Sequence, residues 1–173
     1  MCKNKYENFY KDYRVNIELF LKKIKLEKMK ELHEIGIVFR GFILVNYEFK
    51  KIEKEENHTN ANKDLRGSFI SAINTFAKNA FNNLSLEYLE SGNTLFVFKA
   101  YEIQASDCDG KEPIILYGLL DKRKKDTDKI VNKFLQKIDP ILNLFISRYT
   151  NKDFSEINQF EPFQNDIKEF ILA

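Results

Sequence analysis

Apolar positions along this chain change their period several times, and each change marks an element. From Tyr6 to Glu31, Phe9, Tyr13, Ile17, Phe20, Leu21 and Ile24 recur at three- and four-residue spacing with no Gly or Pro, which predicts an N-terminal helix. Two β-rich runs follow, Ile35–Phe39 and Phe42–Phe49. They flank Arg40-Gly41, which supplies the positive-φ residue that a tight hairpin needs. Lys50 to Lys63 is polar and patternless and reads as an exposed loop. Asp64 or Asn62 then caps a helix running to Phe81. Leu65, Phe69, Ala72, Ile73, Phe76, Ala80 and Phe81 form one stripe on it, so the helix is expected to lay that stripe on a sheet. On that reading Phe69→Ala or Phe76→Ala costs roughly 3–5 kcal/mol. Gly67 near the helix start marks either a tolerated glycine or a close approach to another backbone.

The second half is strand-rich and then helical. Leu84 to Glu90 alternates, Ser91-Gly92-Asn93 turns, Thr94–Ile103 and Pro113–Leu120 read as strands, and Ala105–Glu112 joins them as a loop. A long helix is predicted from Asp126 to Tyr149, with a kink expected at Pro140, and a short one from Pro162 to Leu172. The runs Ile35–Phe39, Leu95–Phe98 and Pro113–Leu120 do not alternate, so both faces of their sheet are expected to be covered. The half-exposed patterns of Leu84–Glu90 and Phe42–Phe49 make those two the expected edge strands. The fold class predicted is α+β, a three-layer α-sheet-α domain on a five-stranded antiparallel sheet, at residues 34–173, preceded by a helical extension at residues 1–33.

Composition narrows the function classes. A chain of 173 residues, 43 % hydrophobic with 16 Phe, has enough length for one domain with a substantial core. Its formal net charge of +2 gives no electrostatic case for nucleic acid. The N-terminal segment is basic on its polar side, through Lys22, Lys23, Lys25, Lys28 and Lys30, but Glu18, Glu27 and Glu31 interrupt the charge. Membrane contact through it is therefore expected to be weak or indirect. Cys2 and Cys108 lie near no His pair and read as free thiols. No secretory signal or spanning run is evident, and a cytoplasmic location is expected.

Chemical motifs for catalysis fail to assemble. Phosphate loops, dinucleotide fingerprints, zinc-protease helices and nucleophile elbows all lack a match. The two histidines, His33 and His58, fall in a strand mouth and a polar loop. Asp107 to Glu112 has the Asp-x-Asp-Gly start of a calcium loop without its twelve-residue closure, so it reads as a turn. Asp121 to Lys125 is a basic cluster read as a solvated loop. No catalytic residue, metal or cofactor is expected.

A hairpin ending in Phe42–Phe49, a polar loop, the helix start at Asp64-Leu65-Arg66-Gly67-Ser68-Phe69 and the following Leu86–Ala100 together resemble the longin-like and roadblock-like superfamily, its prokaryotic members above all. The long helix ending near Ser147-Arg148-Tyr149, followed by a short amphipathic one, fits the double C-terminal helix of the same pattern. The resemblance implies the order β-β-α-β-β-β-α-α, with one helix on one sheet face and two on the other. It also implies a non-enzymatic platform that dimerises and binds or regulates a small GTPase in vesicle trafficking or signalling. The implied partners are a small GTPase, another longin- or roadblock-type subunit, or a second copy as a homodimer. Expected partner-binding positions are Arg66, Gly67, Ser68, Asn74 and Lys78 on the outward helix face, and Ser85, Glu87 and Leu89 on an edge strand. The alternative class is a PAS-like small-molecule sensor, which needs two or more short helices where this chain offers one.

Overall fold

The computed structural model describes residues 29–49, 60–81, 86–122 and 126–172. Strands β1 (Leu32–Phe39) and β2 (Phe42–Glu48) form a hairpin, followed by helix α1 (Asn60–Ala80). Strands β3 (Tyr88–Ser91), β4 (Thr94–Gln104) and β5 (Lys111–Asp121) come next, then α2 (Thr127–Tyr149), a 3-10 turn (Ile157–Phe160) and α3 (Glu161–Leu172). The five strands make one antiparallel sheet in the order β2-β1-β5-β4-β3. As the alternation implied, β2 and β3 are the edges, and the three continuous apolar runs supply the interior strands. β3 spans only four residues, a length that itself discourages pairing with another chain.

The β1–β2 turn follows from its two residues. Phe39 pairs with Phe42, which leaves Arg40 and Gly41 as a two-residue loop at φ 49° and 84°. Positive φ at both positions twists in the same sense as the strands it joins. β1 begins at Leu32, and Met29–Glu31 leading into it are not helical. The sheet thus starts inside what was expected to be the extension, because Leu32 pairs with Leu120 and Met29 is buried in the core. The predicted helix Tyr6–Glu31 lies outside the described residues up to residue 28, and the expected loop Lys50–Lys63 does so up to residue 59, its residues 60–63 belonging to α1 instead; Arg123–Lys125 also lie outside the described residues.

Two unequal cores cover the sheet. Beneath α2 and α3, Ile35, Ile37, Leu95, Val97, Ile114 and Leu116 meet Phe134, Ile138, Leu142 and Phe145 in the larger cluster. An aromatic set closes this layer: Phe145 stacks on Tyr149, Phe160 and Phe163 at 4.6, 5.6 and 5.0 Å between ring centroids, and Phe39 meets Phe154 at 4.6 Å. α2 runs through Pro140 as one helix. Among the described residues, the buried cluster on the opposite face holds Val38, Ile70, Phe98, Ile115, Tyr117 and Leu119, with Ile70 supplied by α1.

That small second core reflects a helix turned the other way from its expected orientation. Leu65, Phe69, Phe76 and Phe81 are 68, 49, 63 and 57 % exposed, and Ala72 and Ala80 are exposed with them. Gly67, Ile70 and Ala77 face the sheet instead. α1 also begins at Asn60, so Asn62 and Asp64 lie inside it and neither is its cap. The expected core role of Phe69 and Phe76 is thereby overturned. The cause is two contacts that apolar periodicity does not count: a glycine that brings α1 close to the hairpin, and a buried charge beneath α1 that requires Arg66.

Candidate functional site

Glu34 is the buried charged residue of the described chain, at 4 % exposure. It sits on β1 on the α1 side of the sheet, two residues before Gly36. Gly36 pairs with Tyr117 on one neighbouring strand and with Asn46 on the other. A Cβ on Gly36 would stand 2.5 Å from the Tyr117 ring, so its absence lets the ring cross β1 and bring its hydroxyl to Glu34. Tyr117 Oη and Asn46 Nδ2 both donate to Glu34 Oε1, the latter at 2.7 Å. Arg66 Nη1 donates to Glu34 Oε2 from α1 above.

The electrostatics follow from burial. Desolvation first, and then the neighbouring Glu34 carboxylate, push the Tyr117 hydroxyl well above the usual tyrosine range. Burial alone would lower the Arg66 pKa, but the hydrogen bond and charge of Glu34 more than offset it, and the guanidinium is held above its ordinary value. Both carboxylate oxygens of Glu34 are occupied by donors of the fold itself. The cluster is therefore a peg that fixes the rotation and height of α1.

Gly67 fixes the same helix at the hairpin. A Cβ there would lie 2.5 Å from Gly41 O and 3.2 Å from Ile43 Cγ1, so only glycine permits this approach. The turn is latched on its other side. Arg40 Nε donates to both Glu112 oxygens at 3.0 and 3.1 Å, and Nη1 and Nη2 donate to Asp107 at 2.6 and 3.1 Å. Hydrogen bonds from Arg40 hold the Asp107 and Glu112 carboxyls below their usual range. The acids of the calcium-like Asp107–Glu112 stretch thus hold a cation of their own chain. Among the described residues, no group of three or more His, Cys, Asp or Glu is placed to hold a metal.

Beside the latch, α1 and the adjoining ends of β4 and β5 frame a groove of about 350 Å³, lined by Arg40, Asn74, Lys78, Glu102, Glu112 and Ile115 among others. The outer side of α1 has a different character. Leu65, Phe69, Ala72, Phe76 and Ala80 run along it as an open apolar surface, with Phe81 set edge-on against Phe76 at 6.5 Å.

The positions expected to bind a partner divide among several places. Arg66 and Gly67 face inward and hold α1 to Glu34 and Gly41. Asn74 is half-buried at the groove, its Nδ2 donating to Ile70 O at 3.0 Å. Ser68 is exposed, and Lys78 is exposed with Nζ 4.0 Å from Glu102. Glu87 is exposed just before β3, while Leu89 is half-buried against the small core. Ser85 lies outside the described residues. Arg66, Gly67 and Asn74 are thus not on the outward face, which is apolar and was expected to be buried.

Sequence reasoning missed Glu34, Tyr117, Asn46 and the Arg40 latch. One signal was present: Glu34 is a lone acid at the start of a strand apolar on both faces, and such a charge demands a buried cation nearby. Among the described residues, no helix is long and apolar enough to cross a membrane. No protein-family model matches the chain, and the comparison with curated proteins gives no match.

Proposed function

We propose that this chain is a non-enzymatic protein-interaction module of longin- or roadblock-like build, whose docking surface is the outward face of α1. The observation that carries this reading is the row of exposed Leu65, Phe69, Phe76 and Phe81 on a helix held rigidly from beneath. Contiguous apolar surface of this kind on a small domain marks a place where another molecule sits. A rigid support suits that role, since a pre-organised helix loses little freedom on binding. The strand order β2-β1-β5-β4-β3, with one helix on one face and two on the other, supports the longin-like comparison. A small GTPase of a trafficking-like or signalling system is the partner this reading assigns.

The test is binding of purified small GTPases, each loaded with GDP or a GTP analogue, to the full chain and to Phe69→Glu. Binding by the wild type that falls at least tenfold in Phe69→Glu is expected. Binding equal in both proteins refutes α1 as the docking surface, and failure of every GTPase in both nucleotide states refutes the GTPase assignment. The groove beside Arg40 and Lys78 favours a second reading, a small-molecule sensor, because its volume falls at the lower end of ligand sites. Native mass spectrometry showing one small molecule retained per chain would support that reading.

A further inference from the structure

The groove between α1 and the sheet owes its shape to where the helix sits. α1 packs over β1 and β2. Beyond it, the β4–β5 register sets Ala100 opposite Ile115 and Glu102 opposite Pro113 on the α1 side of the sheet. The alternate pair, Tyr101 and Ile114, packs into the larger core. Ala100 and Pro113 stay exposed, so the groove has a small apolar floor. Its wall is polar. Ser71, Asn74, Thr75 and Lys78 fall at i, i+3, i+4 and i+7, which places them along one flank of α1.

We infer that this groove binds a free α-amino acid with an aliphatic side chain, a step that rests on the groove as a ligand site and not on the docking face of α1. Size comes first. About 350 Å³ is near the bottom of the range of ligand sites, roughly 300–1,000 Å³, which suits a metabolite of amino-acid size better than a nucleotide. Charge then selects the class. Lys78 and Glu102 stand 4.0 Å apart with side chains 57 and 59 % exposed. They form a looser pair than Arg148 with Asp166 at 2.6 Å or Lys99 with Asp139 at 2.7 Å. Opposite charges held apart at one rim match a molecule that carries both. The Lys78 ammonium takes the ligand carboxylate, and the Glu102 carboxylate takes the ligand ammonium.

Other kinds of ligand fit this lining less well. Arg40 already donates to both Asp107 and Glu112, so no arginine fork remains for a phosphate, and that set keeps one uncompensated carboxylate. A dianion would meet Glu102 and Glu112, and a simple cation would meet Lys78. The wall supplies further hydrogen bonds. Asn74 Nδ2 donates to Ile70 O, which leaves its Oδ1 to accept from the ligand ammonium. Among the described residues, the Ser71 and Thr75 hydroxyls have no hydrogen-bond partner, and they donate to the ligand carboxylate beside Lys78. Ala100, Pro113 and Ile115 take the aliphatic side chain. A half-open groove recovers only part of the ligand's apolar area, so a Kd on the order of 0.1–1 mM is expected.

Titration of the isotope-labelled full chain with L-leucine, L-valine and L-alanine up to about 20 mM, well above the expected Kd, tests this through amide chemical shifts. Saturable shifts at Ser71, Thr75, Lys78 and Ala100 are expected with at least one of the three. Isoamylamine, which is leucine without its carboxylate, and isocaproate, which lacks its ammonium, are expected to bind roughly tenfold more weakly or worse. Lys78→Met and Glu102→Gln, both at exposed positions, are each expected to weaken amino-acid binding by about tenfold or more with the melting temperature unchanged. Lys129→Met, a charge removed from the exposed side of α2, is expected to bind as the wild type does. No saturable shift with any of the three amino acids overturns the proposal. Equal binding of either analogue overturns it too, as does a Lys78→Met or Glu102→Gln protein that binds as tightly as wild type. If no amino acid binds but native mass spectrometry finds another small molecule retained by the chain, the amino-acid assignment fails while the ligand-site reading survives. If neither measurement shows a ligand, both fail.

Discussion

Gly67→Ala asks whether α1 is held against the hairpin as closely as its glycine implies. At a free helix position the substitution stabilises by roughly 1 kcal/mol, because Ala loses less backbone entropy on folding. Here the new Cβ stands 2.5 Å from Gly41 O, about 0.9 Å inside the 3.4 Å at which ordinary contact begins. Either partner must give way. The oxygen belongs to a two-residue turn whose Arg40 is forked to Asp107 and Glu112, so moving it disturbs the latch. Raising α1 instead pulls Arg66 from Glu34 and loosens Ile70 from the small core. Overpacking of this kind costs about 1–3 kcal/mol after the propensity gain is absorbed.

For a chain of this size each kcal/mol moves the melting temperature by about 2–4 °C, so a fall of about 3–10 °C is expected. Differential scanning calorimetry reads it directly. Thr75→Ala, on the exposed side of the same helix, is the control and should raise the melting temperature slightly. A Gly67→Ala protein that melts higher than wild type would refute the close approach and the orientation of α1 built on it.

Further outcomes follow from the same contacts. Glu34→Ala and Arg66→Ala should each cost about 3–5 kcal/mol in urea unfolding, and the double variant about 1–3 kcal/mol less than their sum; additive values would mean that the ion pair is not formed. Phe76→Ala should cost less than about 1 kcal/mol, since a 63 % exposed ring leaves no cavity; a loss of 3 kcal/mol or more would restore it to the core. Arg40 depresses the Asp107 and Glu112 pKa values, so the latch contributes above the ordinary carboxylate range, about pH 4, and is lost as pH falls through the lowered folded values. Wild type should therefore be more stable than Arg40→Met at pH 7, with the gap closing toward pH 3; a constant gap would argue against the latch.

Much of the architecture was legible because strand burial writes itself into alternation. Pro113–Leu120 is apolar throughout and interior, while Phe42–Glu48, with its partly exposed pattern, is an edge. Arg40-Gly41 announced its hairpin through the φ values that such turns require. What could not be read was the rotation of α1. Periodicity finds an apolar stripe but cannot say whether it faces the helix's own sheet or another molecule. The decision here rests on pairwise facts between distant residues: Glu34 with Arg66, and Gly67 with Gly41. Composition averages over both.

The two faces of α1 nonetheless differ in a way that a sequence carries. One face carries the exposed apolar row of Leu65, Phe69, Ala72, Phe76 and Ala80, and the charge that breaks the surrounding pattern, Arg66, has a buried acid waiting on β1. An isolated acid beneath an apolar stripe would be left uncompensated at a cost of several kcal/mol, and the observed orientation of α1 brings Arg66 to it while leaving Phe76 at the surface. The polar peg under α1 and the apolar face above it are thus two consequences of the same orientation.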